Sequence, residues 1–421
     1  MSDVAFGLSS GTLGDIAGRI YQQQYPQYFK GETQFADGDD DYTLDWDVVQ
    51  PPAFDLTSEV DSAGLAKAVV GDGELEGISR DDLLRGVADT YDGRTFHVDL
   101  PQVELTLTVD DTPAYDTASV RIAAMVDDSG PDLVVTPLSA TVSTGDQFPD
   151  WVYNTVVVPI VLDAARQLLA GIPLPIPSVE GVELTYPVVQ VAEDHIVLTA
   201  NLADRSMPAR QFSGWPDDPF FAVLGPDAVR AVTSTATDEL DGMTDHPHDE
   251  EDIVVGTAYY KATVTVSDVR SDGWVSDDLT LAVAASVTGS GSAGVDWVLG
   301  GSTDGWYDLA LDPDPVATVR LDLDDAVLSA RTIGVGDFDL DFTPTSGDIV
   351  SVILSWVMDA LSGVISPYVA DALTGISFDV YRVPTLHVDL DEVSFDAVPV
   401  DLDLSVSDGA VTVVGRLDVE R

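Results

Sequence analysis

The chain has 421 residues, of which 45% are hydrophobic, so it is long enough to bury more than one core. Acidic residues number 74 against 18 basic ones, and the formal net charge of -56 lies far beyond the range that favours ordinary solubility. This balance argues against nucleic acid as a partner, because phosphate binding needs concentrated lysine and arginine, and the absence of cysteine excludes disulfides and thiolate sites.

The charge predicts a halophilic setting, since self-repulsion at this density is tolerable where salt shortens the Debye length to about 3 Å. The carboxylates are spread over the solvent faces of predicted strands, which favours a solvated acidic surface over a cation site. The start of the chain, Met1 to Phe6, lacks the basic region and apolar core of a signal peptide, and no apolar run reaches the ~20 residues of a membrane span. We therefore expect a cytoplasmic or particle-associated protein of a halophile.

The first predicted helix has one apolar face, formed by Leu13, Ile16, Ala17, Ile20 and Tyr21, and ends near Pro26. The preceding Gly7-Leu8-Ser9-Ser10-Gly11 matches the hydrolase pattern G-x-S-x-G. That pattern needs a strand before the serine, and we expect none so near the terminus. We therefore interpret Ser9 or Ser10 as the cap of the helix.

Alternating apolar residues then predict strands with one buried face and one acidic or hydroxyl-bearing face at residues 42–49, 97–109, 119–126 and 132–142. Between the first two lies an insertion, residues 61–93. It contains a predicted helix from Arg80 to Tyr91 that Ser79 would cap.

The most informative segment runs from Phe148 to Leu202. From Val156 to Ala170, the strongly polar Asp163, Arg166 and Gln167 fall on one narrow stripe, which predicts a helix buried over most of its circumference. A proline-spaced exit at 171–177 holds the chain extended, and strands are predicted at 182–184 and 196–200.

The second half repeats this order of elements. Residues 220–224 lead into a helix with Val229, Val232, Ala236 and Leu240 on one face. Strands follow at 253–269, 279–288, 321–324, 337–342, 380–404 and 411–419, and a second late helix is predicted from Ile349 to Leu373. The repeat predicts two domains in tandem, at 1–205 and 220–421, joined by a linker at 206–219.

Two local motifs match known sites by letter. His246 to Asp252 combines two histidines with carboxylates, but Pro247 and the acidic run favour a flexible surface loop, so we expect no metal. Gly289 to Gly294 matches a dinucleotide loop, yet it lies between predicted strands with no helix after it and is interpreted as a hairpin or mobile loop.

The late helix, the Gly171-Ile172-Pro173-Leu174-Pro175-Ile176-Pro177 exit and the closing strand Asp194-His195-Ile196-Val197-Leu198 together resemble the TULIP superfamily of tubular lipid-binding proteins. The bactericidal/permeability-increasing protein belongs to it. The resemblance implies an α+β fold with two tandem domains, in each of which a long curved antiparallel sheet wraps a long apolar helix. The insertion at 61–93 is more similar to the bacterial branch encoded beside toxins, and that branch implies a toxin-associated role.

We therefore expect a non-enzymatic protein that binds lipid or another long apolar ligand in a slot between helix and sheet in each domain, with no cofactor and no metal. The expected lining residues are Leu13, Ile20, Val157, Val161, Ala165 and Leu168 in the first domain, and Val350, Leu354, Val357, Leu361 and Val364 in the second. The alternative is a structural or assembly protein, a virion or toxin-complex component, in which the same residues are ordinary core and other proteins are the partners.

Overall fold

The structure is a computed structural model that describes most of the chain. The described residues are 2–37, 40–70, 79–128, 133–143, 147–170, 174, 176, 178–179, 182–209, 214–242, 244–246, 248–253, 256–276, 279–312, 314, 316–337, 339–345, 377–390 and 393–419. The late helix predicted at 349–373 and its five expected lining residues lie outside these ranges, and so does the side chain of Leu168.

A central antiparallel sheet contains strands from both halves of the chain. Its described strands are β1 (Val4–Ser9), β8 (Val188–Ala192), β9 (His195–Ala200), β10 (Phe220–Leu224), β20 (Leu386–Leu390), β21 (Val393–Ser407) and β22 (Ala410–Val419), in the order β20-β21-β22-β10-β1-β9-β8. At its middle β1 pairs with β10, with Val4 opposite Leu224. All side chains of β1, β9 and β10 are buried, because elements cover both faces of the sheet here.

The ring of Phe221 on β10 lies over Gly7 on β1, where an added Cβ would come within 2.1 Å of the ring. The absence of a side chain at this central position therefore makes room for a fully buried aromatic ring.

A second antiparallel sheet belongs to the first half. It contains β2 (Lys30–Asp37), β3 (Asp40–Val48), β4 (Ala53–Asp55), β5 (Thr95–Val109), β6 (Thr112–Asp127) and β7 (Val134–Ser143), in the order β2-β3-β5-β6-β7 with β4 beside β5. The predicted alternation is confirmed, with Val98, Leu105 and Ile122 on the buried face. Register shifts between Leu100 and Val103 on β5, and between Pro137 and Ser139 on β7, mark bulges that curl the sheet.

A third sheet belongs to the second half and contains the longest strands. Its described members are β11 (Thr244–Asp245), β12 (His248–Ile253), β13 (Gly256–Ser276), β14 (Thr280–Trp297), β15 (Ser302–Asp312), β16 (Val316–Asp324), β17 (Val327–Val335), β18 (Asp339–Pro344) and β19 (Ser377–Arg382). The main path is β11-β13-β14-β16-β17-β19, with β12 on β13 and β15 between β14 and β18. Antiparallel curled sheets thus account for most of the described fold.

Two motif interpretations in this sheet are wrong. From His248 to Asp252 the predicted loop is a strand, because β12 pairs with β13 there. Gly289 to Gly294 lies within β14. A Cβ added to Gly291 would lie 2.2 Å from the carbonyl oxygen of Lys261, which is too close for any side chain. These glycines therefore permit close packing of strands rather than a turn.

The described helices are α1 (Ser10–Gln24), α2 (Ser62–Val70), α3 (Arg80–Tyr91), α4 (Asp150–Val152), α5 (Val158–Ala170) and α6 (Pro226–Leu240). The predicted α3 is confirmed, and the Ser79 hydroxyl accepts a hydrogen bond from Asp82 N at 3.2 Å. Both α1 and α6 follow directly after strands of the central sheet, β1 and β10. Strands β1 and β10 come from different predicted domains but are paired in one sheet. The division into two tandem domains therefore stays a prediction.

One prediction for the segment 148–202 is wrong. Val182 to Leu184 forms isolated bridges, with Val182 opposite Val179 and Leu184 opposite Leu202, and the regular strand is β8.

The predicted polar stripe of α5 is confirmed, since Asp163, Arg166 and Gln167 are exposed. The rest of the described circumference is covered to different degrees. One stripe is fully buried, and the residues on either side of it, such as Ile160 and Leu162, are half-buried.

Candidate ligand-binding slot

The structure contains an apolar slot between helix α5 and the concave face of the first-half sheet. On the helix side it is lined by Val157, Ile160, Val161, Ala164, Ala165 and Leu169. On the sheet side it is lined by Leu44, Trp46 and Val48 of β3, Val98, Leu100, Val103 and Leu105 of β5, and Ile122 of β6, with Tyr28 and Phe29 at one end. We call this space the helix-sheet slot.

Three of the residues predicted to line a slot come together here. Val157, Val161 and Ala165 all line it and are 3%, 7% and 5% exposed. Leu13 and Ile20 are fully buried in α1, which packs against β4 and the central sheet, and they are not among the residues that line the slot.

The sequence analysis missed Leu169 and the entire sheet side of the slot. Leu169 continues the four-residue spacing of Val157, Val161 and Ala165, so helical periodicity was sufficient to find it. The sheet residues could be assigned to a buried face from their alternation. Which strands face α5 depends on the sheet order, which no local pattern encodes.

No side chain lining the slot carries a charge at neutral pH. Because side chains alternate between the two faces of a strand, the charged residues of the lining strands point away from the slot. Asp47, which lies between Trp46 and Val48 in the sequence, faces the other side of β3 and pairs with Lys30 Nζ at 2.9 Å. The slot is therefore suited to apolar material and offers no group for acid-base chemistry.

The slot is narrow in this structure. Its volume is about 40 Å³, whereas an apolar cavity that holds one benzene has about 150 Å³. A molecule much larger than water can therefore enter only if the helix and the sheet move apart.

The start of the helix contains a feature that suits such a movement. Residues Tyr153–Val157 form a π-helical turn in which Val158 N donates to Tyr153 O. Pro159 follows and has no N–H to give to Thr155, which accounts for the irregular turn. Single π turns of this kind occur often at functional sites.

The chain up to the first residue of the π turn is anchored to the sheet. The Trp151 ring makes edge contacts with Phe35 and Tyr42 at 5.9 and 5.7 Å between ring centroids. The Tyr153 hydroxyl donates to Asp116 and accepts from Phe148 N at 3.2 Å. The π turn thus separates these contacts from α5, which packs along β7 and whose outer face is exposed to solvent.

A second depression of about 330 Å³ lies beside α2 and has a mixed lining, with the polar residues His97, Arg121, Asp61, Ser139 and Thr141 and the apolar residues Val60, Leu65 and Ala123. Arg121 donates twice to Asp99, at 2.7 Å each, and also contacts Asp55 at 3.2 Å. Burial works to raise the pKa of Asp55, but hydrogen bonds from Ser58 and Thr57 outweigh it and hold the pKa well below 3.8. The guanidinium is thus already paired with carboxylates, which makes this depression a poor anion site.

The imidazole of His97 is expected to titrate below 6.5, because burial and the nearby Arg121 both lower its pKa. Below pH 6.5 the unfolded chain then binds more protons than the folded one, so this group lowers stability as the pH falls. NMR titration of the imidazole resonances measures the shift, and Arg121→Gln should raise the pKa of His97. His387 provides an internal control, since its hydrogen bond to Asp396 raises its pKa. A wild-type His97 that titrates above 6.5 would contradict this account.

The interpretation of Ser9 as a helix cap is confirmed, although the expectation that no strand precedes it is wrong. A strand, β1, does precede Ser9 and leads directly into α1. Ser9 Oγ accepts from Thr12 N at 3.2 Å, and the facing His195 has both ring nitrogens 2.9 Å from backbone carbonyl oxygens, of Glu193 and Asp218. The two side chains therefore contact other groups rather than each other, and no Ser-His pair forms here.

Among the residues that the structure describes, no three histidine, aspartate or glutamate side chains are grouped as a metal site. None of the helices in the described ranges is long and apolar enough to cross a membrane.

Fold and slot together define a protein of curled antiparallel sheets in which a helix covers the concave face of one sheet over an uncharged slot. No protein-family model matches the sequence, and no curated protein matches it.

Three solved structures are similar over nearly the full length. Lipopolysaccharide binding protein is 11% identical, with a TM-score of 0.33, over 100% of this chain and 99% of that one. P47 of Clostridium botulinum E1 is 8% identical, with a TM-score of 0.44, over 99% of both chains. P47 of Clostridium botulinum A2 is 8% identical, with a TM-score of 0.42, over 99% of this chain and 97% of that one.

Proposed function

We propose that the chain is a TULIP-like, non-enzymatic protein that binds a lipid acyl chain or another long apolar molecule in the helix-sheet slot. The observation that carries this proposal is the lining itself, which is apolar on both sides and uncharged throughout. Such a lining recognises hydrocarbon by excluding water and needs no charged partner.

The energies are of the right order for a ligand to open the slot. Moving α5 exposes the stripe of Val157, Val161, Ala165 and Leu169, which costs roughly 5–9 kcal/mol at about 1.5–3 kcal/mol per larger side chain, and the facing side chains of the sheet add to this cost. A chain of about twelve methylenes gains roughly 10 kcal/mol on leaving water, at ~0.8 kcal/mol each. The ligand would also cover the same stripe again, so part of the opening cost is recovered.

The small volume favours a second candidate function, a structural component in which side chains fill the slot permanently. A space of about 40 Å³ is what a well-packed core can leave without any ligand. In that case the protein would act through its outer surface in a larger assembly, and its partners would be other proteins.

The deciding experiment is native mass spectrometry of the full chain, purified in about molar potassium chloride and incubated with palmitic acid. We expect palmitate at a fixed stoichiometry. Val161→Trp should abolish binding by filling the slot, and Val161→Ala should strengthen it by enlarging the slot. Gln167→Trp places the same bulk on the exposed face of α5 and should bind like the wild type.

Opposite effects of the two Val161 substitutions cannot come from misfolding, which would weaken binding in both. A wild-type protein that takes up no palmitate, or two variants that bind like the wild type, would exclude the slot as a ligand site. The structural candidate would then be preferred.

A further inference from the structure

The turn between β14 and β15 exposes a group of large apolar side chains. Trp297, Val298 and Leu299 are 36%, 75% and 100% exposed, and Gly300 and Gly301 complete the turn. We call Trp297 to Gly301 the apolar apex. Leu299 has the highest exposure among the large apolar side chains that the structure describes.

This turn departs from the pattern that the rest of the chain follows. Four two-residue hairpin turns are described, and each contains acidic residues: Asp110-Asp111, Glu193-Asp194, Asp325-Ala326 and Asp408-Gly409. Their residues have positive φ, as hairpin turns of this type require. Acidic residues in these turns adopt the required positive φ and are well solvated where the turn is exposed. The apolar apex is also exposed but contains no charged residue.

The backbone of the apolar apex is folded back on itself. Trp297 N donates to Gly301 O at 3.0 Å, and Gly300 N donates to Trp297 O at 2.9 Å. Gly300 and Gly301 have φ of 93° and 94°, which residues with a Cβ rarely adopt. The backbone polar groups are therefore partly satisfied within the turn, while the side chains of Val298 and Leu299 point outward into solvent.

The charges around the apolar apex indicate what it can contact. From Trp297 to Thr303 the sequence carries no charge, and the indole Nε1 of Trp297 donates to Thr303 Oγ1 at 3.0 Å. Asp296 and Asp304 bound this segment, and the carboxylate of Asp304 accepts from the Tyr259 hydroxyl. An uncharged tip is thus carried by an acidic body with a net charge of -56.

We propose that the apolar apex inserts into the interfacial region of a zwitterionic lipid bilayer. The tip is convex and can enter an apolar phase but cannot itself enclose a partner. A tryptophan between an apolar tip and a polar body is the arrangement favoured at membrane interfaces. The acidic body is repelled by anionic lipid, so a bilayer without net charge is the surface that it can approach.

The test is flotation of the full chain with phosphatidylcholine vesicles in about molar potassium chloride. We expect the wild type to float and Val298→Ser/Leu299→Ser to lose at least tenfold in partitioning. The control is Tyr115→Ser, which removes a highly exposed apolar side chain from β6 in the first-half sheet and should leave partitioning unchanged. At low salt, phosphatidylglycerol vesicles should bind less than phosphatidylcholine vesicles.

Absence of wild-type flotation, or equal flotation of the double variant, would overturn the proposal. So would tighter binding to phosphatidylglycerol at low salt. A wild-type dimer in sedimentation that the double variant converts to a monomer would instead assign the apolar apex to contact between two copies. Palmitate binding in the slot is measured separately and does not depend on the apolar apex, so failure of one proposal leaves the other standing.

Discussion

Replacing Asp128 with alanine is expected to lower the free energy of unfolding by about 3–5 kcal/mol, since it leaves a buried arginine without its counter-charge. Arg94 Nη1 lies 2.6 Å from Asp128 Oδ1, and the two side chains are 9% and 7% exposed. The second oxygen of Asp128 accepts from Val189 N at 3.0 Å. The pair therefore joins the end of β6 to strand β8 and connects the first-half sheet to the central sheet.

The size of this effect depends on burial rather than on charge pairing as such. Asp163 and Arg166 form a comparable pair on the outer face of α5, 3.5 Å apart and 69% and 58% exposed. Asp163→Ala is therefore expected to change stability by about 0.5 kcal/mol or less. Urea denaturation of the two variants in the same salt measures both values.

A double substitution tests the stated mechanism. Arg94→Met/Asp128→Ala removes the stranded charge and should be more stable than Asp128→Ala alone. If Asp128→Ala costs no more than Asp163→Ala, or if the double variant is less stable than the single one, an unpaired buried charge is not the cause of the loss.

Lowering the salt concentration is the second change for which we expect a large effect. Transfer from about 2 M to about 0.01 M potassium chloride lengthens the Debye length from under 3 Å to about 30 Å, so carboxylates on neighbouring strands repel one another. With a net charge of -56, we expect Tm to fall by about 10 °C or more, which corresponds to roughly 9 kcal/mol for a chain of 421 residues. Thermal unfolding followed by circular dichroism at several salt concentrations measures the change.

The control separates screening from general stabilisation by excluded solutes. Sucrose at matched osmolality strengthens burial but does not screen charge, so it should restore little of the lost stability. A Tm that is independent of salt, or one that sucrose restores completely, would argue against the halophilic setting.

Much of the local structure could be predicted from residue patterns. Alternation at Val120, Ile122 and Ala124 identified the buried face of β6, and Ser79 identified the start of α3, because both features depend on neighbours a few residues away. The helical spacing of Val157, Val161 and Ala165 likewise placed these three on one face of the helix formed by the π turn and α5, where they line the slot.

The burial of α5 could be predicted only in part. The polar stripe of Asp163, Arg166 and Gln167 identified the exposed face, because it depends on spacing within the helix. The residues beside the buried stripe, such as Ile160 and Ala164, are only half-buried, because their coverage depends on how far the sheet curls around the helix. The bulges on β5 and β7 set part of that curl, and their effect on the shape appears only once the strands are paired.

The sequence by itself determined many of the antiparallel strands, the positions of α1, α3, α5 and α6, and the uncharged stripe of α5, because each follows from periodicity within one segment. Only the tertiary structure decided that β1 and β10 join both halves in one sheet, that β3, β5 and β6 complete the slot, and that the slot is narrow. It alone decided which apolar residues stay in solvent at the apolar apex. The physical reason is that pairing order, sheet curl and exposure depend on contacts between residues far apart in the chain.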